Sequence, residues 1–337
     1  MTGAFLIKPE SIEIREIDTP EPKAGEVRIR LKKVGICGSD VHLFLGHRPL
    51  SQPVIIGHEG LGFVDKAGEG VTTLKPGDRV VIEPNIPCRQ CTYCMSGRGN
   101  ICINKRVIGV SENGCFAEYI NMPQEFCWRI PDELSDEDAV TVEPSAVACH
   151  ALFSSSSEPG DTIAVIGLGA IGLLVTQLAL QLGYKVIAIE LNKNKLRLAE
   201  EMGAIPFAST TNSQETISSL SKACTDHNVS SLFECGGSEV TVSLATSIAP
   251  RGSEIILAGL SEKLATFQPL KIVREGIQII PSIIYDHPVD FRRTIQLIQS
   301  KVLRPGKIIS GTFKLYQLQE ALEAAAAGNE TKLIISI

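Results

Sequence analysis

The alternation of apolar and polar positions marks the first part of the chain as β-rich. Ser11 to Ile17 and Glu26 to Val34 alternate apolar with polar side chains and are separated by a turn region rich in proline and glycine. This period of two predicts half-buried strands of an antiparallel sheet. Short apolar runs such as Arg79 to Ile82 continue between further glycines and prolines. We therefore expect a barrel-like domain of short strands and turns.

From Thr162 onward the pattern changes to alternating strands and helices. Thr162 to Ile166 and Lys185 to Ile189 are continuous apolar runs that predict buried strands, and Ile171 to Leu182 between them predicts an apolar helix. With the elements that follow, we expect six strands in a doubly wound parallel sheet. The further predicted helices are Lys193 to Met202, Glu239 to Ile248, Asp290 to Lys301 and Gln317 to Ala327, and the further strands are Ser231 to Glu234, Ser253 to Leu257, Gly276 to Ile284 and Lys332 to Ile337.

Size and charge limit the function classes. A chain of 337 residues has room for two domains, and its net charge of -6 offers no general attraction to nucleic acid or acidic lipid. The apolar run from Ile163 to Leu180 is interrupted by glycines, so we expect no membrane span. Met1 to Lys8 has no basic lead-in typical of a secretory signal. We expect a cytoplasmic protein whose partners are small molecules and other copies of the chain.

Four of the ten cysteines form one closely spaced motif, Cys88-x2-Cys91-x2-Cys94-x7-Cys102. Four thiolates on one polar loop can surround a single zinc ion tetrahedrally and leave no place for water, which is typical of a structural site. An iron-sulfur cluster and a disulfide-linked loop are the alternatives. The other cysteines outside the segment around Cys37 are scattered, and we expect them to be small buried hydrophobes.

A second candidate metal site lies between Cys37 and Glu59. Thiolate and imidazole ligands suit zinc, and Cys37 and His58 supply one of each, with Glu59 beside them. A buried cysteine and a core histidine would be the structural alternative. Further along, Pro144 fits the first position of a helix capped by Glu143, whose carboxylate the helix dipole would keep charged and ready for a cation.

The segment Gly167-Leu168-Gly169-Ala170-Ile171-Gly172 follows a predicted strand and opens a predicted helix. These glycines allow the backbone to approach a pyrophosphate, and the helix N-terminus supplies partial positive charge. Glu190 closes the next strand, where an acidic residue accepts hydrogen bonds from the ribose and repels a 2′-phosphate. The motif predicts dinucleotide binding with NAD favoured over NADP, although Lys193 and Lys195 stand close enough to bind a phosphate.

These motifs together resemble one family, the zinc-containing medium-chain alcohol and polyol dehydrogenases. Cys37-Gly38-Ser39-Asp40, Gly57-His58-Glu59, the four-cysteine lobe and the glycine turn with Glu190 occur in the family's order along the whole chain. The resemblance implies a GroES-like catalytic domain of residues 1–146 and 288–337, with a structural zinc lobe at 85–104. It also implies a Rossmann NAD-binding domain of residues 147–287, and the polar run from Ser154 to Ser157 suggests a hinge between domains.

The resemblance also implies roles for individual residues. Cys37 and His58 would bind a catalytic zinc together with Glu143 or Glu59, and which carboxylate binds directly stays open. Asp40 would orient the histidine. The remaining implied roles are a proton relay through Ser39 and His42, a contact of Lys195 with the adenosine ribose, and a homodimer or homotetramer formed through the last strand of the nucleotide domain.

The implied reaction is oxidation of a secondary alcohol to a ketone, with hydride passing to NAD. Sorbitol dehydrogenases carry an arginine in the segment that here runs from Ser282 to Pro288, and this chain has none there. A polyol or sugar-derived substrate is expected, with an L-threonine or 2,3-butanediol type dehydrogenase as the alternative. A zinc- and nucleotide-binding protein without catalysis is the alternative of another class. Candidate pocket residues are Phe44, Arg48 and Tyr285.

Overall fold

The protein is described by a computed structural model, which covers residues 1–48, 53–209 and 213–337. The predicted strands at Ser11 to Ile17 and Glu26 to Val34 are confirmed as β2 and β3. The strands of this first part are β1 Thr2–Lys8, β2 Ser11–Glu16, β3 Glu26–Gly35, β4 Val54–Ile55, β5 Glu59–Ala67, β6 Arg79–Ile82, β7 Asn85–Ile86, β8 Arg106–Val107, β9 Tyr119–Pro123 and β10 Cys127–Arg129. Its helices are α1 Gly38–Phe44, α2 Thr92–Met95, α3 Asp136–Val140 and α4 Val142–Phe153.

The middle of the chain forms the predicted doubly wound sheet. Six strands pair in parallel in the order β13-β12-β11-β14-β15-β16. The chain adds β12 and β13 on one side of β11 and then β14 to β16 on the other side, as in dinucleotide-binding folds. The strands are β11 Thr162–Ile166, β12 Lys185–Glu190, β13 Ile205–Ala208, β14 Val229–Glu234, β15 Glu254–Leu257 and β16 Gln278–Pro281. The helices are α5 Ala170–Gln181, α6 Lys193–Met202, α7 Gln214–Asp226, α8 Glu239–Ile248 and α9 Pro269–Glu275.

The C-terminal part completes the first sheet system. It contains α10 Val289–Gln299, β17 Gly311–Lys314, α11 Leu318–Ala326 and β18 Leu333–Ser336. Strand β18 pairs antiparallel with β3, so the end of the chain joins a seven-stranded sheet with β5, β6, β9, β10 and β17. A second sheet has the order β2-β1-β4, and β7 pairs with β8 at the base of the four-cysteine lobe.

The chain divides into two compact units. Unit 1 comprises Met1–Glu143, Asp286–Gln299 and Arg304–Ile337, and unit 2 comprises Pro144–Tyr285 and Ser300–Leu303. Each unit has its own apolar core. The domain limits at residues 146 and 288 stay a prediction. No helix in the described part of the chain has the length and hydrophobicity of a membrane-spanning segment.

Several elements differ from the sequence-based expectation. The sequence pattern does not predict strand β13 or helices α7 and α9. Strand β13 is short and contains Pro206, and α7 is largely polar, so neither has a clear apolar pattern. Strand β16 is shorter than the predicted Gly276 to Ile284. The serine run at 154–157 is bound within unit 2. Ser157 is buried and its Oγ lies 2.6 Å from that of Ser231, while Ser155 donates to Glu254 at 3.0 Å.

Candidate metal centre and cofactor site

Cys37, His58 and Glu59 lie together in unit 1. One ligand atom from each is available, and these three atoms lie within 4.8 Å of one another. The two sequence motifs meet because β3 and β5 pair antiparallel, with Gly35 opposite Glu59. Cys37 follows β3, and His58 immediately precedes β5. A thiolate, an imidazole and a carboxylate form a donor set that fits a zinc ion with a position left for substrate.

Asp40 connects the two ligand segments. Its Oδ2 accepts a hydrogen bond from the backbone N–H of Cys37 at 2.9 Å, and its Oδ1 accepts one from Gly57 at 3.1 Å. The same Oδ1 lies 3.4 Å from Nδ1 of His58. Burial opposes the charged imidazole, but Asp40 and Cys37 more than offset it and raise the pKa of His58 well above its usual range. Nδ1 of His58 faces Asp40 without making a hydrogen bond within the usual distance and angle limits, and Nε2 is the ring nitrogen left for a metal. The orienting role of Asp40 stays a prediction.

Lys332 is a charged residue at this site that the sequence analysis missed. Its side chain is 1% exposed, it contacts Oε2 of Glu59, and its Nζ donates to the carbonyl of Ile36 at 3.0 Å. Burial disfavours the ammonium, but Glu59 and Cys37 more than offset this and raise the pKa of Lys332. The only sequence signal is a lysine at the start of an apolar strand, far along the chain from the zinc motif.

Glu143 does not cap its helix. Helix α4 begins at Val142, so Glu143 is its second residue and Pro144 its third, and only Thr141 separates α4 from α3. The proline is still tolerated because N–H groups of the first turn have no partner within the helix. Glu143 is buried. Among described residues it does not join the compact group of Cys37, His58 and Glu59, although its charge contributes to the raised pKa of Lys332.

The two predicted relay residues occupy α1. Ser39 is half-buried, and its Oγ lies 3.5 Å from Nε2 of His58, on the ligand side of the ring. His42 is one helical turn further and exposed, and its Nδ1 lies 3.0 Å from Nδ1 of His47. Of the pocket candidates, Arg48 is exposed, whereas Phe44 and Tyr285 are almost fully buried and present little surface to a substrate.

The four cysteines of the lobe form a compact cluster. Cys88, Cys91, Cys94 and Cys102 bring their sulfur atoms within 4.8 Å of one another, and the Cys91 sulfur is 3.5 Å from Cys94 and 3.8 Å from Cys102. Zn–S bonds of about 2.3 Å in a tetrahedron require sulfur atoms about 3.8 Å apart. A backbone hydrogen bond from Cys94 lowers the pKa of Cys91 to about 6, whereas burial and the neighbouring cysteines raise the pKa of Cys94 to about 12. The sulfur distances, and not the pKa values, are what fit a zinc ion. An iron-sulfur cluster would hold the sulfurs further apart.

None of the ten cysteines forms a disulfide, so the disulfide-linked alternative for the lobe does not occur. The scattered cysteines are buried or half-buried, as expected. Burial raises the pKa of Cys115 and of Cys224 to about 12, which keeps them as thiols.

The glycine turn in unit 2 has the close contacts that a dinucleotide site needs. A Cβ on Gly167 would lie 2.7 Å from Cα of Gly236, and one on Gly172 would lie 1.9 Å from the carbonyl oxygen of Gly167. Gly169 faces open space and is followed by Ala170 and Ile171, the first residues of α5. The turn therefore packs tightly on the protein side and leaves backbone accessible where a pyrophosphate would bind.

Glu190 lies at the end of β12 beside this turn. Its Oε2 accepts a hydrogen bond from the backbone N–H of Leu168 at 2.7 Å, and its Oε1 accepts from Leu191 and Asn192 at 2.7 and 2.9 Å. Lys195 is half-buried in the first turn of α6 and its backbone N–H is capped by Asn192. Three backbone N–H groups thus hold the carboxylate beside the glycine turn.

Comparison with known proteins identifies two dehydrogenase domains in the chain. Residues 23–132 match the alcohol dehydrogenase GroES-like domain, and residues 170–300 match the zinc-binding dehydrogenase domain. The chain is 33% identical to the zinc-type alcohol dehydrogenase-like protein YdjJ of Escherichia coli, over 95% of this chain and 93% of that protein. The chain belongs to the zinc-dependent medium-chain alcohol and polyol dehydrogenase family.

Other members of the family are similar along their whole length. Sorbitol dehydrogenase of Bacillus subtilis is 30% identical, covering 96% of this chain and 93% of the relative. The crystal structure of galactitol-1-phosphate dehydrogenase from Escherichia coli has a TM-score of 0.92 and 28% identity, with 100% of both chains covered. As a family member, the protein is an oxidoreductase that uses zinc and a nicotinamide dinucleotide, and the two donor clusters and the glycine turn fit these groups.

Proposed function

We propose that this enzyme oxidises a secondary alcohol of a polyol or sugar-derived substrate to the ketone and transfers the hydride to NAD. The observation that carries the proposal is the group of Cys37, His58 and Glu59 with an orienting Asp40. The similarity of the whole chain to a sorbitol dehydrogenase and to a galactitol-1-phosphate dehydrogenase supports a hydroxylated carbon chain as substrate.

The residues of unit 1 would hold the metal and move the proton. Zinc, when bound, supplies the Lewis acidity that lowers the pKa of a substrate hydroxyl. Cys37 and His58 would bind it with Glu143 or Glu59, while Cys88, Cys91, Cys94 and Cys102 would hold a second, structural zinc. Ser39 and His42 would form the proton relay. The Ser39 hydroxyl would accept the substrate proton as it gives up its own, and the exposed ring of His42 would release a proton to solvent.

The residues of unit 2 would bind the cofactor. The turn at residues 167–172 would hold the pyrophosphate, Glu190 would accept hydrogen bonds from the ribose, and Lys195 would contact the same sugar. The fixed negative charge of Glu190 supports NAD over NADP. We also propose the predicted domain limits, residues 1–146 with 288–337 for the catalytic domain and 147–287 for the NAD domain.

We further propose a homodimer or homotetramer in the cytoplasm. The absence of disulfides among the ten cysteines is typical of a reducing compartment. Strand β16 is at the edge of the six-stranded sheet, and Ile279 on it is 39% exposed. An exposed apolar edge strand is suited to pairing with a second copy.

A substrate screen tests the function. Purified protein with metal analysed per chain is assayed at 340 nm for NADH formation on polyols, sugar alcohol phosphates, vicinal diols and amino alcohols. We expect about two zinc ions per chain and the highest kcat/KM on a polyol or sugar-derived alcohol. A preference for threonine or 2,3-butanediol would support that alternative substrate class instead. NADH binding without turnover on any substrate would support the non-catalytic alternative.

A further inference from the structure

The ion pair between Lys332 and Glu59 lies in the interior of unit 1. Both side chains are 1% exposed. Removing two charges from water costs several kcal/mol per ion, and a buried pair often adds nothing to stability compared with apolar residues of the same volume. The fold alone therefore does not account for a buried lysine at this position, directly before the apolar strand β18.

Gly35 provides the space for this pair. A Cβ at this position would lie 1.9 Å from Oε2 of Glu59 and 3.0 Å from Cε of Lys332. Gly35 is paired with Glu59 on one side and with Ile334 on the other, so all three strands bring their residues to one point. Any other residue at 35 would displace the carboxylate or the ammonium.

Both oxygens of Glu59 are buried, and neither has a hydrogen-bond partner in the described part of the chain. They differ in their charged neighbour, because Oε2 contacts the ammonium of Lys332 as an ion pair. Glu59 also supplies one carboxylate oxygen to the ligand group with Cys37 and His58. Glu59 therefore belongs to the ligand group and at the same time contacts the lysine through Oε2.

The charges around the site give the lysine a second effect. A thiolate at Cys37 and carboxylates at Glu59 and Glu143 place more negative charge near the site than a zinc ion neutralises, and all three act on Lys332. An ammonium among them restores approximate neutrality in a region from which water is excluded. A buried, uncompensated charge would otherwise be costly.

We propose that Lys332 is a positioning residue of the catalytic zinc site. The lysine holds one carboxylate oxygen of Glu59 and so prevents Glu59 from binding zinc with both of its oxygens. A coordination position is thereby kept for substrate. The inference rests on the proposed zinc site and assigns a role to a residue outside every motif of the chain. Lys332 is not a catalytic residue, because it acts through Glu59.

Zinc affinity measured without substrate tests this role. Lys332→Met and Lys332→Arg are compared with the unchanged protein by chelator competition, with metal counted per chain. The zinc that is lost in Cys37→Ser protein identifies the catalytic site. We expect Lys332→Met to bind this zinc at least about tenfold more tightly, because Glu59 is released from its competing cation, and Lys332→Arg to stay within about threefold. Equal or weaker binding in Lys332→Met would overturn the proposal, since a purely structural lysine predicts weaker binding.

A second background shows whether the effect passes through Glu59. In Glu59→Gln protein, Lys332→Met should change zinc affinity by less than about threefold, because the carboxylate that it releases is absent. An equal gain in zinc affinity in both backgrounds would show that Lys332 acts only through its positive charge, which would contradict the positioning role. If Lys332→Met does not fold, Lys332→Gln, which keeps a donor toward Ile36, is measured in its place with the same expectations.

The same experiment separates this inference from the proposed function. If the unchanged protein binds only the four-cysteine zinc, the catalytic site itself is wrong and the inference falls with it. If it binds both zinc ions and neither lysine variant alters the second, only the role of Lys332 is wrong. Visible absorption of Co2+ in place of zinc gives an independent readout, and we expect weaker bands in Lys332→Met as the coordination number rises.

Discussion

The carboxylate of Glu190 accepts a 2.7 Å hydrogen bond from the backbone N–H of Leu168 and so ties the end of β12 to the glycine turn after β11. Two more backbone donors, from Leu191 and Asn192, hold its other oxygen. The negative charge is therefore fixed beside the turn before any cofactor binds. The residue supports the turn, and the proposed contact with the ribose would use the same carboxylate.

Replacing Glu190 should change cofactor preference. In Glu190→Ala the charge that repels a 2′-phosphate is lost, so we expect the ratio of kcat/KM for NADP to that for NAD to rise about tenfold, which corresponds to about 1.4 kcal/mol. NADH binding should also weaken a few-fold because Leu168 loses its acceptor. Glu200→Ala, on the exposed face of α6, is the control. An unchanged ratio would remove the ribose role from Glu190.

Cys37→Ser should abolish turnover and leave cofactor binding intact. The serine hydroxyl is a poor zinc ligand beside His58 and Glu59, so the protein should retain only the zinc of the four-cysteine lobe. NADH affinity should stay within a few-fold, because the glycine turn belongs to unit 2. Metal analysis and fluorescence titration with NADH measure the two effects. Cys224→Ala, a buried thiol of α7, controls for loss of a cysteine, and activity retained in Cys37→Ser would exclude Cys37 from the site.

Ile279→Lys should disrupt the oligomer. A lysine on an exposed edge strand opposes pairing with a second strand because its charge would be buried. We expect the mass from light scattering to fall by a factor of about two if β16 forms the interface. Ile14→Lys is a matched control, since Ile14 has the same exposure of 39% and lies on β2 in unit 1. A mass that falls equally in both variants, or in neither, would contradict an interface at β16.

Glu254→Gln should destabilise the protein in a pH-dependent way. Burial opposes the charged carboxylate, but hydrogen bonds from Ser156 and Ser155 more than offset it and hold the pKa of Glu254 below its usual value of 4.5. A lowered pKa in the folded state adds stability above pH 4.5 that disappears as the pH falls through the folded-state value. We expect a loss of about 2 kcal/mol in the free energy of unfolding at pH 7.

Denaturant unfolding between pH 3 and pH 7 measures this effect. The difference between Glu254→Gln and the unchanged protein should shrink toward the acid end. Glu215→Gln, an exposed residue of α7, should show no such trend. A difference that is constant with pH would indicate that the hydrogen bonds, and not the charge, stabilise the cluster.

Local patterns in the sequence were sufficient for much of the molecule. The bounds of α6 and α8 follow from apolar spacing and from the capping residues Asn192 and Ser238, because helix ends depend on hydrogen bonds within a few residues. The four-cysteine lobe and the glycine turn are also local, since each motif carries within one short segment the groups that must come together. The parallel sheet follows from the alternation of buried strands and helices.

Other features depend on contacts between distant segments. Helix α7 is largely polar, so its own sequence gives little indication of the packing that stabilises it. Glu143 lies inside a helix because α3 is followed almost directly by α4. The serine run at 154–157 has the composition of a linker, yet Glu254 and Ser231, about 75 to 100 residues away, bind it within unit 2.

The sequence by itself determined the family, the two metal-binding motifs and the dinucleotide turn, because each is written in short spacings of chemically distinctive residues. The tertiary structure alone decided that Lys332 contacts Glu59 in the space left beside Gly35. Gly35 and Glu59 belong to β3 and β5, whereas Lys332 directly precedes β18, about 270 to 300 residues further along the chain. Such a pairing is set by strand register across a sheet, for which a single sequence has no local signal.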